Sequence, residues 1–190
     1  MTRAADSGTQ TAKVVVQAAI SLDGYIAGPG HDMDWVFEFT TPDEFPEIID
    51  RTGAMLSGRN SYDVGQRDIG KPSGDAYGGA WHGPMFVLTH RPPADDQSSI
   101  TFLSGDIGDA VELARKAAGD KDLVVLGADV VRQCLERGLV DEMLLMVLPV
   151  LLGDGVRLYS ADDAAARVNL ERLSVQQSGD VAVMQYRVGK

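Results

Sequence analysis

Two junctions in this chain could hold a negatively charged group, and each puts a glycine between an apolar run and a helix. Leu123-Val124-Val125-Leu126 is wholly apolar and Gly127 follows. The apolar residues then change period, Val130 with Cys134 and Val131 with Leu135. The short run suits a strand buried on both faces. The i,i+4 stripe suits an amphipathic helix that stops at Gly138. Its first backbone N–H groups are unpaired and, with the helix dipole, attract an anion. Ser57-Gly58-Arg59-Asn60-Ser61-Tyr62 repeats the arrangement after a short strand at 53–56, with Arg59 ready to meet a phosphate. A third candidate is the end of a buried strand at 85–88, where Thr89-His90-Arg91-Pro92-Pro93 could grip an anion. Each signal alone is weak, because many α/β turns contain a glycine and bind nothing. Together they suit a phosphorylated, planar cofactor that carries the chemistry itself.

Other residues could border such a ligand. Ser21-Leu22-Asp23-Gly24-Tyr25-Ile26-Ala27-Gly28-Pro29-Gly30 reads as a loop packed back on the sheet, followed by Asp34, Trp35, Phe37 and Phe39. Those aromatics could wall a planar substrate, although ordinary core packing explains Phe37 and Phe39 better. No metal constellation is legible: His31, His82 and His90 lie on different loops, and Cys134 is the only cysteine. Cys134 sits on the helix stripe and reads as packing. The nucleophile elbow, the Walker loop and the Rossmann fingerprint are all missing.

The elements that must position these residues alternate. Residues 13–20 read as a first strand. Thr41-Pro42-Asp43-Glu44 starts a helix running to about Arg51, with Pro46 early in it. Residues 64–83 are glycine-rich and irregular, a lid carrying Tyr77 and Trp81. A short strand at 100–103, an amphipathic helix at 106–118 and the central strand follow. Residues 143–150 form another deeply apolar strand, and 162–167 cover an edge. Two strands, 168–177 and 181–188, are joined by Ser178-Gly179-Asp180 as a hairpin. The expectation is an α/β sandwich with a central mixed, mostly parallel sheet flanked by helices and a C-terminal antiparallel hairpin. Residues 1–12 read as a flexible tail and 13–190 as a single domain.

At 190 residues and 44% hydrophobic, the chain can bury one sizeable core. Its net charge of −11 argues against nucleic acid or an anionic membrane as partner. No run spans a bilayer, no signal peptide is legible, and one cysteine allows no intrachain disulfide, so a soluble cytoplasmic protein is expected.

The motifs also carry a family resemblance. The Ser21–Gly28 stretch with Asp34-Trp35 resembles the first loop of the dihydrofolate reductase-like superfamily, in the branch of the bacterial riboflavin-biosynthesis reductase (RibD C-terminal domain). Gly58-Arg59-Asn60-Ser61-Tyr62 is similar to its phosphate-binding junction. Val87-Leu88-Thr89-His90-Arg91-Pro92 resembles its strand end beside the adenosine ribose phosphate. Gly127-Ala128-Asp129, Gly138-Leu139-Val140-Asp141-Glu142 and Pro149-Val150-Leu151-Leu152-Gly153 complete a pattern covering residues 13–188.

The resemblance implies a dihydrofolate reductase-like fold with NADPH as hydride donor. The reaction it implies resembles that of 5-amino-6-(5-phosphoribosylamino)uracil reductase, on a small pteridine- or pyrimidine-like heterocycle. Cofactor contacts would come from Ala19, Gly58, Arg59, Asn60 and Ser61, from Thr89, His90 and Arg91, and from Leu126, Gly127, Ala128, Asp129 and Val130. His90 and Arg91 would take the 2′-phosphate. Asp34 and Trp35 would border the substrate. The assisting carboxylate would lie in the first helix, where Asp43, Glu44 and Glu47 are not separated by spacing. Relatives usually carry Gly-Gly where this chain has Leu126-Gly127, and Asp129 could cap the helix. The leucine and the ambiguous carboxylate favour the alternative: a non-enzymatic nucleotide-binding or oligomeric protein on the same fold. A homodimer is expected in either case.

Overall fold

The computed structural model describes residues 12–40, 46–94, 99–160 and 167–189. Apolar runs build six parallel strands: β1 (Val14–Ser21), β3 (Thr52–Gly58), β4 (Met85–Leu88), β5 (Thr101–Leu103), β6 (Asp122–Val125) and β7 (Glu142–Leu148). β9 (Leu170–Ser178) and β10 (Val181–Val188) form an antiparallel hairpin, and β10 adds antiparallel to β7. The order across the eight-stranded sheet is β5-β4-β3-β6-β1-β7-β10-β9. β2 (Tyr25–Ala27) and β8 (Val156–Arg157) pair separately. This is the expected mixed, mostly parallel sheet with a C-terminal hairpin.

Among the described residues, four α-helices connect and cover it: α1 (Pro46–Arg51), α2 (Arg59–Arg67), α3 (Ile107–Ala118) and α4 (Ala128–Glu136). The pleat sends alternate residues to opposite faces. Val14 and Val16 join Ala54, Leu56, Leu123 and Val125 in the larger core, which the apolar stripes of α3 and α4 complete. Ala19 packs instead against a second cluster made by Trp35, Val36, Leu148, Val181 and Val183. Every residue of β6 is buried, as expected of the central strand.

Several boundaries differ. β3 reaches from Thr52 to Gly58 because its neighbours β4 and β6 pair with it along that length. β7 stops at Leu148, where Pro149 lacks the N–H a ladder needs. α1 opens on Pro46, a first helical position that wastes no N–H; the start expected at Thr41–Glu44 lies outside the described residues. So do residues 1–11 of the expected tail and 161–166 of the edge segment. α3 begins after Asp106, whose Oδ1 accepts from the Gly108 N–H at 2.7 Å. The irregular stretch at 64–83 holds the end of α2 and then 3-10 turns at Pro72–Gly74 and Ala76–Gly79. Tyr77 and Trp81, expected on a lid, are anchored to β3. Trp81 Nε1 donates to the Thr52 carbonyl at 3.0 Å, and the Tyr77 hydroxyl lies 2.8 Å from Thr52 Oγ1.

Candidate active site

β3 and β6 are neighbours in the sheet, so the helices that follow them begin side by side. α2 opens after Gly58 and α4 after Gly127, and no side chain caps either start. Their first N–H groups are therefore left for a ligand. Gly127 holds φ +84° and ψ 134°, and a Cβ there would stand 2.9 Å from Ser61 Oγ. A Cβ on Gly58 would stand 3.2 Å from Val130 Cγ2. The two glycines let both helix starts approach one another.

They open onto a cleft of about 690 Å³. Its wall takes Ala19 from β1, residues 58–61 from the first junction, Thr89 and His90 after β4, and residues 126–130 from the second junction. The residues expected to meet a cofactor thus lie around one cleft, except Arg91. Arg91 is exposed and off the wall; its backbone carbonyl accepts from Arg59 Nη1, and its N–H donates to Thr89 Oγ1 at 3.1 Å. Arg59 is also held by Asp63 at 2.8 Å, and its guanidinium lies 5.7 Å from the Tyr62 ring centroid. Asp129 does not cap α4. Its carboxylate accepts from Arg132 at 2.7 Å and from Gln133 at 2.8 Å, turning its charge along the helix.

The residues expected on the substrate side are placed differently. Trp35 is 7% exposed, packs in the second core cluster, and donates from Nε1 to the Asp32 carbonyl at 3.2 Å. Phe37 and Phe39 pack against the same cluster. Asp34 is exposed and off the cleft wall, accepting from Ser73 Oγ at 2.8 Å and Lys71 Nζ at 3.1 Å. Those bonds, the Ser73 hydroxyl first, hold its carboxyl below the usual range. It ties the 34–38 turn to the 72–74 turn as a carboxylate. Glu47 is exposed on α1 and lines a second hollow. Asp43 lies outside the described residues.

The first loop is clipped rather than open. Ser21 Oγ donates to Asp23 Oδ1 at 2.6 Å, and Asp23 also accepts from the Leu152 and Gly153 N–H groups at 3.1 and 2.7 Å. The Ser21 hydroxyl, with those two N–H groups, lowers the Asp23 carboxyl to about 2. Arg157 lies 4.3 Å over the Tyr25 ring and donates to the Asp23 carbonyl at 3.0 Å. The loop thereby fixes Ile26 and Ala27 on the cleft wall. Among the described residues, no three His, Cys, Asp or Glu side chains gather as a metal site. No helix among them is long and apolar enough to cross a membrane.

The sequence profile of the RibD C-terminal domain matches residues 12–184. The chain belongs to that family. It is 27% identical over 179 residues to the uncharacterized protein YyaP of Bacillus subtilis (strain 168), covering 90% of this chain and 93% of that one. Its fold is like that of a solved putative riboflavin biosynthesis protein from Shewanella sp. PV-4, with a TM-score of 0.76 at 23% identity, covering 94% and 99% of the two chains. It is also like dihydrofolate reductase from Enterococcus faecalis complexed with NADP(H), with a TM-score of 0.61 at 13% identity over 94% and 97%. The fold is dihydrofolate reductase-like.

In this RibD C-terminal domain the cleft also includes residues that sequence reasoning missed: Gln17, His31, Met33, Gln133 and Leu158. Gln17 had a local signal. It is a polar residue inside an apolar strand, two positions before Ala19 and so on the same face. The others reach the wall through long-range packing that no local pattern announces.

Proposed function

We propose that this RibD C-terminal domain is an NADPH-dependent reductase of a small pteridine- or pyrimidine-like heterocycle. The observation that carries the reading is the convergence of two uncapped helix starts, with Arg59 and His90 beside them, on one cleft of about 690 Å³. A dinucleotide fits that donor set, because its pyrophosphate needs backbone N–H groups and close approach. The glycine at 127 leaves that approach free, where a Cβ would meet Ser61. Bound there, NADPH would supply a hydride. Residues 58–61 and 127–130 would hold the pyrophosphate, and His90 and Arg91 the 2′-phosphate at the end of β4. Ala19 and the clipped first loop would orient the nicotinamide and exclude water, bringing the reacting atoms to about 3–3.5 Å. Asp43, Glu47 or a water would hold the proton.

Residues 13–190 would act as one domain in the reducing cytoplasm, which suits a free, buried Cys134. The chain would form a homodimer through the final hairpin, whose edge strand β9 exposes Leu170, Leu173 and Val175; β7, also expected there, lies inside the sheet between β1 and β10. A monomer mass by light scattering at micromolar concentration would refute the dimer.

The test of the reductase reading is titration with NADPH by protein fluorescence, with NADH as control. Saturable binding that is tighter for NADPH is expected, followed by substrate-dependent oxidation of NADPH. Arg59→Ala and Arg91→Ala should each weaken NADPH. Unchanged affinity in both variants, or no binding at millimolar NADPH, sinks the assignment.

A further inference from the structure

A second hollow, of about 550 Å³, is lined by residues of β1, α1, β6, β7, β9 and β10. Gln17 lines both this hollow and the cleft. It is 8% exposed, and its amide is held at one end only: the Tyr77 hydroxyl donates to Oε1 at 2.5 Å. Burial pushes the Tyr77 hydroxyl up to about 12, so it keeps its proton near neutrality. Among the described residues no hydrogen bond engages Nε2, and no side-chain nitrogen or oxygen is sealed away without a partner. Nε2 therefore opens onto the cavity space as a donor of fixed direction. A buried amide left half-satisfied is completed by water, or by a ligand acceptor that displaces it.

Beyond Gln17 the hollow is rich in carboxylates. Of the nearby cations, Arg51 in the lining and Lys13 beside it are already engaged. Arg51 Nη2 meets Asp122 Oδ2 at 2.7 Å, and Lys13 Nζ meets Glu142 Oε1 at 2.6 Å. Gln185 Nε2 donates to the other Glu142 oxygen at 2.8 Å. Glu47 adds a further negative charge to the lining. A phosphate entering this space would meet like charge. A hydroxyl or amine would meet carboxylate and amide acceptors.

We propose that the substrate is a heterocycle whose ring carbonyl is taken by Gln17 and whose substituent in the second hollow is uncharged or cationic, not phosphorylated. This rests on the reductase reading and narrows it. Tyr77 is a positioning residue, acting only by orienting the Gln17 amide.

The test uses the full chain saturated with NADP⁺ and a matched pair of probes, 5-amino-6-(5-phosphoribosylamino)uracil and its dephosphorylated form. The dephosphorylated compound should bind about tenfold tighter or more, the order expected of one like-charge contact at about 4 Å even when it is screened almost as in bulk water. Gln17→Leu should weaken both compounds alike, and Glu47→Lys should narrow the ratio between them. Tyr77→Phe should weaken both less than Gln17→Leu does. Gln17→Met serves as the second apolar variant should Gln17→Leu unfold. Equal or tighter binding of the phosphorylated compound overturns the proposal. So does binding of neither compound by protein that binds NADPH. Failure to bind NADPH itself would instead sink the reductase reading.

Discussion

Gly127→Ala tests whether the α4 junction is built for close approach. The backbone at 127 sits at φ +84° and ψ 134°, a region that L-residues with a side chain rarely adopt. Holding alanine there costs about 1–3 kcal/mol. The new Cβ would stand 2.9 Å from Ser61 Oγ, and Ser61 lies in the first turn of α2, where retreat moves the helix start. That contact adds about 1 kcal/mol. The expected loss is about 2–4 kcal/mol by urea unfolding without ligand, a midpoint shift of about 1 M at a usual slope. Ser61→Ala separates the two causes. In the double variant the contact is relieved and about 1 kcal/mol returns, while the backbone cost stays. A Gly127→Ala variant within about 0.5 kcal/mol of the parent protein would refute the backbone argument. Full recovery by Ser61→Ala would also refute it, since only the contact would then matter.

Three further outcomes follow from the same geometry. A Cβ at Gly155, where φ is +132°, would stand 2.1 Å from the Ala27 carbonyl oxygen. Gly155→Ala should therefore lower the thermal midpoint sharply or prevent folding, and an unchanged midpoint would contradict the packing described. Asp23 is held at about 2 by the Ser21 hydroxyl and the 152–153 N–H groups, and Asp68 at about 2 by Arg67. Folded-state values below the ordinary 3.8 mean stability that is complete above that value and lost as pH falls toward about 2. Urea midpoints should be flat through mildly acidic pH and fall across that window, and Asp23→Asn should flatten part of the fall. Burial pushes the Cys134 thiol up to about 12, so it should resist a thiol reagent until urea unfolds the chain; rapid native labelling would contradict it.

The fold was largely legible because its signals are local. The short apolar runs at Leu123–Val125 and Phe86–Val87 suit buried strands, and the glycines at 58 and 127 mark where strand gives way to helix. Those junctions also marked one wall of the cleft, since β3 and β6 are adjacent and bring them together. The use of Asp34 and Trp35 was not legible. Asp34 and Trp35 combine a charge with an aromatic beside a glycine loop, which reads as a site from sequence. In the fold the same two residues close a 3-10 turn against the second core and against Ser73 and Lys71. Residue type was right for chemistry, but the partners that decide its use come from a segment nearly forty positions away.

Gln17 shows the converse. Within its strand it is a flaw, a polar amide where apolar side chains would pack. Its meaning appears only when Tyr77, far along the chain, arrives to hold one end of the amide. Tyr77 is there because Thr52 anchors the loop that carries it, and Thr52 is buried because β3 pairs with β6 down to Asp122. A donor fixed in this way by four separate elements costs the fold apolar packing at β1. Part of that cost is returned, because Oε1 accepts from the buried Tyr77 hydroxyl, but Nε2 takes no part in that anchoring. Nε2 is the end of the amide that the proposed ring carbonyl would complete.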